Sequence, residues 1–413
     1  MKVCYYNHTG KVSGAEKVLF SLLAHIGPEF EPVLIAPASA PMVAFCREHG
    51  VVHLGVDELR ARFTMNPALL ARYLGSAFRG IWQVRRRVRE AAPDVLHANS
   101  TRAGMIASIA TIGNGIPVVW HIHDQLRKHP ITAAIRLLLR SSRRNFVVAV
   151  SRATAEGVRG DSPSRVPMAV IYNGIDSALY TRRPDERERF LEKERLQEAT
   201  FRVGMIGQIT PRKGQLEAIQ TFARLVKSSV PGAQLLIVGS PVFNRDELYL
   251  QKLKEEVKRL GLESNVRFMG LRSDIPVILQ SLDLLISNSS CEPFGLALLE
   301  AGASSTAVLA SAVGGVPELI EDGVTGRLFP YGDSDAMLSG LMKLESDRAS
   351  TGRLGRAAQE RTALYFNQDR FLLQMRQFYL SVAPAAIADA VCRKPPVPYP
   401  SQAYDQAGKW GGA

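Results

Sequence analysis

The sequence predicts an α/β protein made of two doubly wound parallel-sheet domains that face each other across a cleft. Three observations predict it. Short apolar runs alternate with helical stretches along all 413 residues, the pattern of parallel strands joined by crossover helices covering both faces of a sheet. The runs fall into two series of about six, a sheet's worth each. Between the series lies a charged stretch, residues 178–200, with Pro184 and few apolar positions.

In the first series the expected strands are residues 3–6, 32–36, 51–54, 95–97, 118–121, 146–149 and 169–171. In the second they are 202–206, 234–238, 266–268, 284–287, 307–310 and 326–329. Helical periodicity fills most gaps, as in residues 15–25, 215–227 and 247–260. The domains are placed at residues 1–178 and 200–365, with 179–199 as the linker. Residues 353–381 read as two closing helices, and the segment 366–382 is expected to pack back on the first domain. Residues 383–413 carry Pro395, Pro396, Pro398 and Pro400 and then glycines, a composition that builds no core, so a disordered tail is expected. Open α/β sheets bind ligands beyond the carboxyl ends of their strands, so two facing domains would hold a ligand between them.

Composition narrows the classes. With 46% apolar and 22% charged residues the chain matches soluble globular proteins. No apolar run reaches the ~18 residues of a membrane span, and the N-terminus turns polar after one short strand, so it does not read as a secretion signal. Cys4, Cys46, Cys291 and Cys392 are scattered, which favours reduced thiols, a cytoplasmic location and no zinc site. The net charge of +12 is uneven: residues 1–180 carry 22 Lys and Arg against 12 Asp and Glu. The excess gathers at Arg79, Arg85, Arg86, Arg87 and Arg89 and again at Arg136, Arg140, Arg143 and Arg144. Such runs are as often a solvated helix face as a binding surface. In residues 132–144, Ile135, Leu138 and Leu139 share one helical face and Arg136, Arg140 and Arg143 another. A helix of that kind lies in the interface of an anionic bilayer, so binding to the inner membrane face through the first domain is expected. No helix-turn-helix, zinc-finger or RNP pattern accompanies the charge, which argues against nucleic acid.

Four strand-end loops carry the chemistry. The first, Asn7 to Glu16, has small residues that let a backbone approach a ligand, but neither a dinucleotide nor a Walker pattern. The second, Trp120-His121-Ile122-His123-Asp124, points both histidines one way if the strand persists, yet offers no third metal ligand. The third, Gly207 to Gly214, sets Arg212 and Lys213 before a helix, an arrangement that suits a diphosphate. The fourth, Cys291 to Gly302, holds Glu292 and Glu300 eight residues apart, with Pro293 expected in the first turn of a helix. Backbone N–H groups of Phe294, Gly295 and Leu296 would then form an anion site. Eight helical residues advance about 12 Å, so the two glutamates cannot share a proton but can grip opposite ends of an elongated ligand such as a nucleotide-sugar.

Together these loops resemble the retaining glycosyltransferases of family 4, over residues 1–380. The most specific part is Glu292-x7-Glu300 enclosing Phe294-Gly295, then Gly314-Gly315-Val316-Pro317-Glu318 and Glu321-Asp322-Gly323-x-x-Gly326. Asn173-Gly174-Ile175-Asp176 matches that family's usual end of the first domain, and His123-Asp124 matches its active-site histidine. The resemblance implies the GT-B fold, two Rossmann-like domains across a cleft. It also implies a nucleotide-sugar donor, a lipid-linked or glycan acceptor, and no metal or other cofactor. It implies that Lys213 binds the donor diphosphate, that Glu292 hydrogen-bonds sugar hydroxyls and that Glu300 takes the ribose hydroxyls. Phe294, Gly295 and Leu296 would meet sugar and phosphate through backbone N–H groups, and Met269 would line the base. Gly14 would cap the phosphates from the first domain, and His123 would stand with Glu292 and Lys213 at the reacting centre. Two positions depart from the family. Gln208 stands where Arg is frequent, leaving Arg212 to supply a second cation, and the glycine loop reads Ser13-Gly14 rather than Gly-Gly.

The expected activity is transfer of a hexosyl unit from a UDP- or GDP-sugar to a lipid-linked or polysaccharide hydroxyl. The Glu292–Glu300 spacing does not fit two carboxylates across one bond, so same-face attack is expected, with the leaving phosphate helping to deprotonate the acceptor. Two other classes stay open on the sequence. One is another GT-B enzyme, such as a sugar-nucleotide epimerase or a phosphorylase. The other is a non-catalytic nucleotide-sugar-binding subunit, which Gln208 leaves open.

Overall fold

The computed structural model describes residues 1–59, 66–126, 129–160, 166–196, 200–241 and 244–385. The strands are β1 (Lys2–Tyr6), β2 (Glu31–Ala36), β3 (Val52–Gly55), β4 (Val95–Ala98), β5 (Val118–Ile122), β6 (Asn145–Ala149), β7 (Met168–Val170), β8 (Phe201–Ile206), β9 (Ala233–Val238), β10 (Val266–Gly270), β11 (Leu284–Ser287), β12 (Ala307–Ser311) and β13 (Arg327–Phe329). The first seven form one sheet, β3-β2-β1-β4-β5-β6-β7, and the last six a second, β10-β9-β8-β11-β12-β13. Every neighbouring pair is parallel. Each expected strand is present, with ends within two residues.

The helices are α1 (Gly14–His25), α2 (Ala40–Glu48), α3 (Pro67–Ala91), α4 (Thr101–Ala110), α5 (Pro130–Arg140), α6 (Arg152–Arg159), α7 (Pro184–Lys193), α8 (Gln215–Ser228), α9 (Asn244–Leu260), α10 (Ile275–Ser281), α11 (Leu296–Ala303), α12 (Val316–Leu319), α13 (Ser334–Ser346), α14 (Arg348–Tyr365) and α15 (Gln368–Val382). Strand residues alternate between two cores, one on each face of each sheet. Val3 and Tyr5 meet Leu19 and Leu22 on one side, while Cys4 and Tyr6 meet Val84 and Val88 on the other. In the second sheet Leu235 and Ile237 face Phe222, and Leu236 and Val238 face Leu298. Strand order reverses between β1 and β4 and between β8 and β11. At those points neighbouring crossovers leave in opposite directions and open a crevice.

Two sequence expectations are corrected here. The charged stretch 179–199 is not an open linker, because it contains α7. Phe190, Leu191 and Leu196 bury in the second domain's core, and Arg183 N–H and Arg187 Nε–H donate to Gln280 Oε1 and Gln280 O, both at 2.9 Å. Its few apolar residues suffice because a helix on a domain surface needs one buried stripe only. The second correction concerns α5, expected to lie in a bilayer. Ile135 and Leu139 are buried against Trp120 and Val147, with Leu138 packed alongside. Arg136 donates to the carbonyls of Gly157 and Val158. The apolar face of α5 is therefore a core face. Among the described residues no helix is long and apolar enough to cross a membrane. Cys4, Cys46 and Cys291 are buried free thiols. Cys392 and all but the first residues of the expected tail lie outside the described residues.

The chain crosses between the sheets twice, and the crossings are bonded together. Ile175 N–H donates to Phe366 O at 2.9 Å and Gln368 N–H to Ile175 O at 3.0 Å. Beyond the second crossing α15 lies on the first sheet, where Phe371, Leu372, Met375 and Tyr379 join the core of Val3 and Tyr5. A Cβ at Gly174 would stand 2.5 Å from Asn367 O and 2.7 Å from Gln368 Cα. Both obstacles are backbone, so Gly174→Ala is expected to lower stability by ~1–3 kcal/mol. A thermal unfolding scan checks this, and an unchanged melting temperature would mean that the crossings are free to move apart.

Candidate active site

The site lies where the two switch points meet. In the second domain β8 leads through Gly207 to a 3-10 turn, Pro211–Lys213, before α8. β11 leads to the loop of Ser289 to Gly295. Lys213 Nζ donates to Glu292 Oε2 at 2.5 Å, and both side chains are largely buried. Ser289 Oγ–H adds a bond to the same oxygen at 3.2 Å. Arg212 sews the two loops together: its guanidinium donates to Cys291 O at 2.8 Å, and its own carbonyl accepts from Ser290 N–H at 2.9 Å. Arg212 therefore anchors the loop that carries Glu292. Gln208 contributes its carbonyl to the Gln215 side chain at 2.9 Å. Met269 sits at an irregularity of β10, between Phe268 and Gly270.

The helix after Glu292 begins later than the sequence predicts. α11 starts at Leu296, and Gly295 precedes it at φ +106°, a conformation natural to glycine. Pro293 lies in a bend rather than a first helical turn. Distant bonds impose this path. Gly315 N–H donates to Glu292 O at 2.9 Å, and Ser151 Oγ–H of the first domain donates to Pro293 O at 2.6 Å. A helical separation of Glu292 and Glu300 therefore does not apply. Leu296 and Ala297 now hold the first-turn positions whose N–H groups have no helical acceptor, so Leu296 keeps the place predicted for it while Phe294 and Gly295 supply loop amides. Glu300, in the second turn, accepts from Lys17 Nζ across the cleft at 3.3 Å.

The first domain supplies the opposite wall. Gly14 opens α1, and a Cβ there would come within 2.9 Å of Leu296 Cδ1, so the departure Ser13-Gly14 still leaves a glycine at a close approach of the two domains. The Ser13 N–H and hydroxyl both donate to Glu16 Oε2, which caps the helix start. His123 follows β5 and bonds Asn99 Oδ1 through Nε2 at 3.2 Å. Asn99 Nδ2 is directed to Asn7 Oδ1 and Ala15 O, so its oxygen must face His123 and the imidazole carries its proton on Nε2. Burial pushes the His123 pKa down to about 3. The residue is partly open to solvent, so lost hydration counts for less there than at the fully enclosed His97 and His121.

Glu318 ties the walls together. Its carboxylate accepts from Arg152 N–H at 2.8 Å, Ala153 N–H at 3.0 Å and Tyr172 Oη–H at 2.9 Å. A carboxylate of one domain thus caps α6 of the other, where the helix dipole favours negative charge. The Cys291 thiol reaches Gln125 Oε1 at 2.9 Å. Sequence reasoning brought together Lys213 and Glu292, and Gly14 with Leu296. It missed Lys17, Asn99 and Ser151, and named Asn7 only as the start of a loop. Buried asparagines at the ends of β1 and β4 were the available signal. Among the described residues no three His, Cys, Asp or Glu side chains gather in a way that could hold a metal ion.

Two doubly wound sheets with opposed switch points, a buried Lys–Glu pair at one and amide-lined helix starts on both walls, define the GT-B class of glycosyltransferases. The chain belongs to glycosyltransferase family 4. The Glycosyltransferase Family 4 model matches residues 12–179 and that of Glycosyl transferases group 1 matches residues 186–361. Activity on sugar-nucleotide-type donors follows from that membership. The chain is similar to N-acetyl-alpha-D-glucosaminyl L-malate synthase of Bacillus anthracis, 26% identical over 297 residues, 70% of this chain and 75% of that one. It is 31% identical over 223 residues, 54% of this chain and 59% of the other, to the lipopolysaccharide core biosynthesis mannosyltransferase LpcC of Rhizobium leguminosarum bv. viciae. Among solved structures, Anabaena Alr3699/HepE in complex with UDP-glucose superposes with a TM-score of 0.79 at 26% identity, covering 92% of this chain and 100% of that one.

Proposed function

We propose that the chain is a retaining hexosyltransferase that needs no metal or other cofactor and passes a sugar from a UDP-sugar to a hydroxyl of a lipid-linked or polysaccharide acceptor, in the cytoplasm at the inner membrane face. The observation that carries this reading is the buried Lys213–Glu292 pair at the β8–β11 switch point. Lys213 Nζ has three donors, so it can keep Glu292 oriented while meeting a diphosphate oxygen. The bond from the anomeric carbon to the diphosphate breaks, and the acceptor oxygen bonds to that carbon on the same face. The acceptor proton passes to the departing phosphate oxygen. Lys213 and the amides near Leu296 stabilise the diphosphate charge as it develops. Arg212 keeps the Glu292 loop in place. Glu292 orients the sugar, Glu300 takes the ribose, Met269 lines the base, and His123 faces the sugar from the first domain with its neutral ring. Support for UDP comes from the likeness to HepE, and support for a lipid-linked glycan acceptor from the likeness to LpcC.

The test is release of nucleoside diphosphate from a panel of UDP- and GDP-sugars, with and without EDTA. Release from a UDP-sugar that survives chelation is expected. Complete loss restored by manganese or magnesium would overturn the metal-free reading. Donor binding without turnover on any acceptor would favour a non-catalytic subunit. Retention is read from the anomeric configuration of the product by NMR.

A further inference from the structure

Helix α3 carries a line of large apolar side chains that the fold leaves uncovered. Leu74, Phe78 and Trp82 are 62%, 77% and 58% exposed, and their spacing of four puts them along one side of the helix. The other side is anchored, since Val84 and Val88 are fully buried. A contiguous run with a phenylalanine and a tryptophan marks an interaction surface in a way that scattered exposed residues do not.

The charge around this line is mostly positive, although Asp57 pairs with Arg79 at 3.6 Å. α3 holds Arg72, Arg79, Arg85, Arg86, Arg87 and Arg89 against the single acid Glu90, which pairs with Arg87 at 2.8 Å. Arg86 and Arg89 are exposed in the turns after Trp82. Arg85 reaches the carbonyls of Ala110 and Ile112 at 3.4 and 3.1 Å, which brings Ile112, 64% exposed, to the edge of the same surface.

We propose that this face of α3 docks the protein on an anionic lipid bilayer, with Phe78 and Trp82 entering the headgroup layer and Arg86 and Arg89 meeting lipid phosphates. Aromatic residues flanked by arginines on an exposed helix face suit the boundary between headgroups and acyl chains, where each cation adds attraction to an anionic leaflet. The excess of positive charge selects that partner over a neutral surface. α3 follows β3 in a parallel crossover, so it starts at the carboxyl end of the sheet, where the cleft opens. Docking through α3 then holds the cleft mouth close to the headgroups. That last step rests on the proposed lipid-linked acceptor, whereas the docking surface does not.

The experiment is flotation with vesicles of phosphatidylglycerol and phosphatidylethanolamine, or of phosphatidylcholine alone, at low and high salt. It compares the wild-type chain with Phe78→Ser/Trp82→Ser and Arg86→Gln/Arg89→Gln. Wild type is expected to float with the anionic vesicles at low salt only, and each double variant to bind about tenfold more weakly. Trp82 fluorescence should shift to the blue on binding. Calorimetric donor titration on the same samples shows that the variants are folded and tests the transferase reading separately. If wild type stays soluble, or both variants float equally well while binding donor, the docking proposal fails and the transferase reading stands. A concentration-dependent dimer abolished by Phe78→Ser/Trp82→Ser would assign the face to a second copy and overturn the proposal.

Discussion

Lys213→Ala is expected to lower kcat/KM for the sugar nucleotide by about 10²–10³-fold, the usual effect of removing one preorganised group aimed at developing charge. Two losses combine. The diphosphate loses the Lys213 cation from the β8 loop, where Gln208 carries no charge and one Arg212 N–H is already bonded to Cys291 O. Among the described residues Glu292, 9% exposed, then keeps the Ser289 hydroxyl alone as side-chain partner. Breaking a buried pair on one side typically costs ~3–5 kcal/mol, so the variant is also expected to melt earlier. Glu300→Ala provides the contrast: it removes hydrogen bonds to a charged group and is expected to weaken donor binding by ~1.5–3 kcal/mol, with a smaller effect on turnover. Initial rates and calorimetric titration on both variants decide. Wild-type affinity and rate in a folded Lys213→Ala protein would remove Lys213 from the donor site.

The fold was legible because strands buried on both faces write themselves as continuous apolar runs. β4 and β12 are buried at every position, and no register or turn chemistry had to be inferred. The site was legible where a motif is local. Arg212, Lys213 and Gly214 occupy one turn, and Gly314-Gly315 packs on Glu292, where a Cβ at Gly314 would come within 2.2 Å of Glu292 O. What failed was set by long-range contacts. Pro293 suits a first helical turn, but the Ser151 bond, 142 residues away, holds it in a bend. Lys17 meets Glu300 across 283 residues. Helical periodicity shows that α3 and α5 each have two faces but not which face the core takes. α5 turned its apolar side inward and α3 left an apolar line outside. Local propensity likewise could not tell an open linker from α7, whose three buried side chains depend on a surface built elsewhere.

Acid is expected to destabilise the first domain through its buried histidines. His97 and His121 are fully enclosed, with ring centroids 5.1 Å apart, and His123 stacks 4.1 Å from His121. Tyr379 Oη bonds His97 Nδ1 at 2.7 Å, but among the described residues nothing bonds His97 Nε2 or either nitrogen of His121. Burial, reinforced by repulsion from His123, pushes the His97 pKa down to about 3 and that of His121 well below its usual value. Burial and the nearby Arg102 push His8 down to about 4. These rings stay neutral in the folded protein, whereas in the unfolded chain they take up protons below about pH 6.5. The unfolded state therefore binds more protons between pH 6.5 and the folded values of about 3 to 4, and stability falls as pH falls through that window. Each enclosed histidine contributes a slope of about 1.4 kcal/mol per pH unit. His97 and His121 together would remove about 3 kcal/mol between pH 6.5 and 5, a large share of a typical ~5–15 kcal/mol total. Urea midpoints from pH 7.5 to 5 measure it. His121→Leu, which removes a ring that makes no hydrogen bond, is expected to flatten the dependence by one histidine's share. A variant with the wild-type slope would place the acid sensitivity elsewhere.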